Sequence, residues 1–121
     1  MKPRVRYTLP RSLRITRTAE FQRVLDAGLR ANDDRLTVWA LPNGLRHPRL
    51  GLVVGRKHGG AVQRNRLKRL LREAFRLSQH ELPTGLDFAC SPRAGPTPTL
   101  PELRESLLRL AGQLARRLQS R

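Results

Sequence analysis

The sequence predicts an α/β fold, an α+β sandwich in which helices pack on a small sheet. Two long segments, residues 61–78 and 103–118, carry apolar residues at helical spacing. Shorter runs rich in strand formers, residues 36–41, 49–54 and 86–90, lie before and between them, bounded by Gly, Pro or Asn. Helix-period and strand-period stretches that alternate along one short chain give helices layered on a sheet. The 121 residues suffice for one domain, 1–121, with one modest core and no internal repeat.

In chain order, residues 1–12 read as a basic, irregular arm with Pro3 and Pro10 and no apolar period. The first 19 residues contain no acid, as in an organelle transit peptide. The two prolines interrupt the amphipathic helix such a peptide requires. Thr18 is placed to cap a first helix, with Glu20 in the first turn where the helix dipole favours an acid. Phe21, Val24 and Leu25 share one side of that helix, and Gly28 suits its stop. Leu36-Thr37-Val38-Trp39-Ala40-Leu41 reads as a strand ended by the turn Pro42-Asn43-Gly44. Residues 49–54 give a second strand, and the short connection predicts an antiparallel pair.

Pro83-Thr84-Gly85 breaks the chain before residues 86–90, an apolar run that reads as an interior strand. Residues 91–101 hold four prolines and a glycine and form a loop. Thr99 with Glu102 is a capping box. Leu103, Leu107, Leu110, Leu114 and Leu118 then make the apolar stripe of a last helix.

Charge narrows the function. There are 25 Lys+Arg against 9 Asp+Glu, a formal charge of +16, so a polyanionic partner is the natural counterweight. Most of the cations are Arg, the side chain suited to bidentate contacts with phosphate and base edges. The lone Cys90 forms no internal disulfide, which suits a reducing cytoplasm. No apolar run approaches the roughly 18 residues of a membrane span.

On a helical wheel of residues 61–77, Leu67, Leu70, Leu71, Ala74 and Phe75 fall in one arc. Arg64, Lys68, Arg69, Arg72 and Arg76 lie opposite with Asn65, and Arg66 sits at the border. A solvated helix face usually alternates sign. This segment has only Glu73 against six cations, so its face repels itself until an anion binds. Ahead of it, Gly59 and Gly60 allow close backbone approach at a helix N-terminus, where Arg56 and Lys57 are placed to touch phosphate. Gly55 and Gly60 have P-loop spacing, but Ala61-Val62 replaces the required Lys-Ser/Thr, which excludes an NTPase.

The acids are scattered; the one adjacent pair, Asp33-Asp34, reads as a turn. His47, His58 and His80 lack metal-ligand spacing, and His58 reads as an exposed bystander or a phosphate contact. Carboxylates for metal or a His pair for acid–base work are therefore not grouped in the sequence. The residues alone leave the polyanion open, among others a structural RNA such as that of the ribosome or a DNA major groove read by the same helix.

Gly60-Ala61-Val62-Gln63-Arg64-Asn65-Arg66-Leu67-Lys68-Arg69-Leu70-Leu71-Arg72-Glu73-Ala74-Phe75 strongly resembles the signature of the bacterial ribonuclease P protein subunit. Glu20-Phe21-Gln22-Arg23-Val24 resembles the first-helix motif of that family, and Leu52-Val53-Val54-Gly55-Arg56-Lys57 its strand and basic loop. The likeness spans roughly residues 12–118. It implies a mixed sheet of about four strands with a left-handed β-α-β crossover, one strand more than the residues alone reveal. It also implies an accessory to a catalytic RNA that removes the 5′ leader of precursor tRNA, with Mg²⁺ held mainly by that RNA.

Carried over residue by residue, the likeness assigns RNA binding to Arg56, Lys57, Arg64, Asn65, Arg66, Lys68, Arg69 and Arg72. It places Phe21 and Trp39 in a cleft for the single-stranded leader, whereas the residues alone also allow both to be core. Leu25 stands where a second cleft aromatic is common. Gly55, His58 and Gly60 replace a frequent Ser, Ile and Asn.

Overall fold

The structure, a computed structural model, describes residues 9–120. The chain runs α1 (Thr18–Ala27), β1 (Leu29–Asn32), β2 (Leu36–Pro42), β3 (Arg49–Leu52), α2 (Ala61–Ser78), β4 (Leu86–Pro92) and α3 (Leu100–Gln119), with short 3-10 turns at Arg11–Leu13 and Arg56–His58. The four strands form one mixed sheet in the order β1-β2-β4-β3.

Residues 86–92 are buried along their whole length, so β4 needs a neighbour on each side and takes the interior position. It pairs antiparallel with β2, from Leu36 opposite Pro92 to Pro42 opposite Leu86. Its pairing with β3 is parallel, Arg49 with Asp87 through Leu52 with Cys90. The expected β2–β3 hairpin is therefore wrong, because β4 inserts between the two strands. Asn43 holds the intervening loop. Its side chain accepts from Leu45 N–H at 2.8 Å and donates to the His47 carbonyl at 3.3 Å and to Asp87 at 2.9 Å. β3, α2 and β4 make a β-α-β unit of adjacent parallel strands.

The first strand was not legible. Leu29-Arg30-Ala31-Asn32 lacks β-branched residues, yet it pairs antiparallel with β2, Leu29 opposite Ala40 and Asn32 opposite Thr37. At an edge, with only Ala31 fully buried, it needs little apolar content.

One sheet face carries Leu36, Val38, Ala40, Leu50, Phe88 and Cys90, all buried in the main core under α2 and α3. α3 contributes Leu103, Leu107, Leu110 and Leu114 as its stripe predicts, with Leu118 packed at the margin. Its capping box forms as expected. Glu102 N–H donates to Thr99 Oγ1 at 3.3 Å, and Thr99 N–H donates to Glu102 Oε1 at 2.9 Å.

α1 covers the opposite face through fully buried Val24. Arg17 is its N-cap, with no side-chain cap bond, so Thr18 begins the helix instead of capping it. Gly28 ends it in an extended conformation. Glycine is required there by proximity, since a Cβ would lie 2.4 Å from the Val24 carbonyl oxygen and 3.0 Å from that of Ala40.

Part of the expected irregular arm is built into the fold, with Leu9 packed against the core and Arg11-Ser12 opening a 3-10 turn, and residues 1–8 lie outside the described residues. Leu13 is buried, Ile15 N–H donates to the Leu50 carbonyl at 2.9 Å, and Arg14 bridges Leu50 in parallel. Residues 13–15 thereby cover the free edge of β3.

Candidate RNA interface

The α2 wheel holds in three dimensions. Leu67, Leu71, Ala74 and Phe75 are buried and Leu70 is half-buried. Each buried Leu contributes on the order of 1.5–3 kcal/mol, which fixes the rotation of the helix about its axis. Asn65, Arg66, Arg69 and Arg72 are consequently held in solvent, with Arg64 and Lys68 half-buried beside them. The Arg64 Nε is buried and has no hydrogen-bond partner among the described residues. Arg76 differs from the other cations in being engaged by Glu73 one turn back, with Nε–Oε2 at 3.0 Å. Hydrogen bonding to Arg76 holds the exposed Glu73 carboxyl below its ordinary range.

Arg56 and Lys57 lie exposed on the turn ahead of α2, and Gly59 follows at φ 111°, a conformation that favours glycine. His58 is neither a bystander nor free for phosphate. Its Nδ1 accepts the Gly55 N–H at 3.0 Å, and its Nε2 lies 3.0 Å from the Pro92 carbonyl. Those partners select the tautomer with hydrogen on Nε2. His58 thus ties the basic turn to the end of β4.

Two depressions of about 230 Å³ each meet at the β3 edge of the sheet, one against α1 and the other against α2, and together make a groove. Ile15, Gly51 and Leu52 line both. One also takes in Arg17, Thr18 and Phe21; the other takes in Arg14, Lys68 and Arg72. The groove therefore joins the uncapped N-terminus of α1 to the basic face of α2. Phe21 is half-buried, with its ring directly over Gly51. Trp39 is also half-buried and outside the α2–α3 core. It pairs across β2–β4 with Ala89, which itself pairs with Gly51, so Trp39 shares the Phe21 face of the sheet.

Sequence reasoning missed an ionic network beneath this face. Arg49 Nε and an Nη donate to the two Asp87 carboxylate oxygens at 2.8 and 2.7 Å. The same Nη donates to Glu20 at 2.9 Å. The bonds to Asp87, and then to Glu20, hold the guanidinium more firmly charged than that of a free arginine. Glu20 immediately precedes Phe21, so the network docks the first turn of α1 on the sheet. The signal available was Asp87 itself, an acid inside the apolar run 86–90.

Asp33 forms the turn its sequence suggests. Its Oδ1 accepts from the N–H groups of Arg35 and Leu36, each at 2.8 Å, and its Oδ2 accepts from Arg109 at 2.6 Å.

A rigid basic helix, a basic turn ahead of it and a groove that runs from Phe21 to that helix define the chain as a nucleic-acid-binding α/β protein. The ribonuclease P family model matches residues 9–115. The ribonuclease P protein component of Methylococcus capsulatus is 48% identical over 92 residues, covering 75% of this chain and 71% of the relative. That of Haemophilus influenzae is 48% identical over 80 residues, covering 65% and 67%. The ribonuclease P protein from Thermotoga maritima superposes with a TM-score of 0.72 at 31% identity, covering 83% of this chain and 96% of that one. The Staphylococcus aureus protein gives 0.70 at 30% identity, covering 84% and 94%. The chain belongs to the ribonuclease P protein family, the protein component of the endoribonuclease that matures tRNA 5′ ends. Among the described residues no helix is long and apolar enough to cross a membrane.

Proposed function

We propose that the chain works as a two-sided adaptor within ribonuclease P, with one side on the catalytic RNA and the other on the precursor tRNA leader. Arg56, Lys57, Arg64, Asn65, Arg66, Lys68, Arg69 and Arg72 contact the catalytic RNA. Phe21 and Trp39 supply stacking surfaces for unpaired leader bases, each worth about 1–3 kcal/mol. The observation that carries this reading is the wall of Ile15, Gly51 and Leu52 that the two depressions share. Phe21 borders one end of the groove and Lys68 with Arg72 the other, so a strand lying in it runs from an aromatic platform to the cations of α2.

The chemistry assigned to these side chains is positional. Fixed guanidinium groups screen the repulsion between two RNAs at their point of approach. The N-terminus of α1, free of a side-chain cap, favours a phosphate at the groove mouth. Mg²⁺ and the attacking water belong to the RNA, and the protein raises the affinity of that RNA for substrate and metal. Cys90 takes no part, because burial pushes its thiol up to about 12.

The test is reconstitution with the catalytic RNA and precursor tRNA at low Mg²⁺. The chain is expected to restore 5′ cleavage, with precursor binding that weakens steeply as salt rises. Binding of RNA without any stimulation of cleavage would assign the chain to a structural RNA-binding role instead.

A further inference from the structure

One register row crosses the whole sheet on the groove side: Gly51 on β3, Ala89 on β4, Trp39 on β2 and Arg30 on β1. Cross-strand partners stand on the same face with Cβ atoms about 4.5–5.5 Å apart. At a strand spacing of about 4.8 Å, the row carries the face some 14 Å from the Phe21 platform to Arg30. Its two central strands place Ala89, fully buried, and Trp39, half-buried. Its outer end is Arg30, exposed, with no hydrogen bond or ion pair to its side chain among the described residues. The backbone at that point is nonetheless fixed. The Arg30 carbonyl accepts from the exposed Arg117 of α3 at 3.0 Å, across the edge of the sheet that β2 does not occupy.

We infer that Arg30, seconded by Arg117, is a phosphate-binding position for leader nucleotides beyond the one stacked on Trp39. This rests on the leader-binding reading above. An aromatic beside an unpaired, exposed guanidinium is the pairing single-stranded nucleic acid calls for: a flat face for the base and a cation for the next phosphate. Arg117 keeps Arg30 at the sheet edge and adds a second guanidinium there. The contact is electrostatic, so it adds affinity without sequence preference.

The experiment uses the reconstituted holoenzyme and precursor tRNAs whose leaders are shortened one nucleotide at a time. Arg30→Ala is expected to weaken binding of long leaders about two- to fivefold, as for an exposed ion pair. The salt slope should fall by about one. Arg30→Lys should retain most of the affinity. The Arg30→Ala effect should vanish at a leader length still long enough for Phe21→Ala to be felt. Equal loss at every length, or loss in binding of the catalytic RNA alone, would overturn the inference and assign Arg30 to that RNA; no loss at any length would also overturn it. If Phe21→Ala shows no dependence on leader length either, the leader-binding reading itself fails.

Discussion

Phe21 lies so close over Gly51 that a Cβ at position 51 would stand 2.5 Å from both Cδ2 and Cε2 of the ring. The strand backbone is the back wall of the ring, and only the absence of a side chain at Gly51 leaves room for it. Gly51→Ala should therefore displace the ring while keeping the ladder with β4. The expected result is weaker binding of leader-bearing precursor with little change for mature tRNA, at a stability cost of about 1–3 kcal/mol for overpacking. Comparing the two affinities checks it, and an unchanged ratio would show that the position of the ring is immaterial.

The Arg49–Asp87 pair should dominate the polar contribution on this face. The Arg49 and Asp87 side chains are only 15% and 7% exposed, whereas Glu20 is 36% exposed. Removing Asp87 with Asp87→Ala leaves a largely buried guanidinium half-paired and should cost roughly 3 kcal/mol. Glu20→Gln should cost less than about 1 kcal/mol, because that end is open to water. Denaturant unfolding of the two variants distinguishes them, and equal costs would contradict this account of the network.

Asp33 should shape the acid limb of stability. Burial pushes its carboxyl up, but hydrogen bonds from Ser106, Arg35 and Leu36, with the charge of Arg109, outweigh this and hold it below the ordinary range. The folded value lies under the unfolded one of about 3.9, so the contribution is complete well above that pH. It is lost as pH falls from there through the folded value. Asp33→Asn should be less stable at neutral pH by roughly 1 kcal/mol or less, Arg109 being largely exposed. That difference should shrink below about pH 4. Unfolding midpoints across pH test this, and a gap that grows with acid would reverse the sign.

Cys90 is fully buried, with its thiol raised to about 12, so the folded chain should resist thiol reagents at pH 8 and react only as it unfolds. Rapid labelling under native conditions would contradict the packing of β4.

Sequence patterns revealed most where one periodicity governed a whole segment. α2 and α3 were legible because an apolar arc and its polar complement repeat over several turns, and β4 because a short, mostly apolar run follows the break at Pro83-Thr84-Gly85. Neighbour relations were less visible. The wrong β2–β3 pairing came from a short loop, which says nothing about a strand that arrives later and inserts. β1 went unseen because an edge strand makes few compositional demands. The recognition residues of α2 came with its wheel. A cleft at Phe21 came only with the family likeness, since Arg14, Ile15, Phe21, Gly51 and Lys68 meet through long-range packing. His58 was misjudged for the same reason, its partner Pro92 lying 34 residues further on.

The strand order also sets a timetable for synthesis. Two of the three ladders run through β4, one of the last elements to be made. As the chain leaves the ribosome, β1 and β2 can close at once. β3 waits with no neighbouring strand, and α2 emerges with no completed sheet beneath its apolar arc. A strongly cationic segment, with six Lys+Arg against the single acid Glu73, is thus presented to the ribosomal surface before it has a native place to dock. Collapse must wait for residues 86–92 to complete the sheet and for α3 to cover it, so premature termination ahead of β4 should release an insoluble, RNA-adhesive fragment and not a partly folded domain.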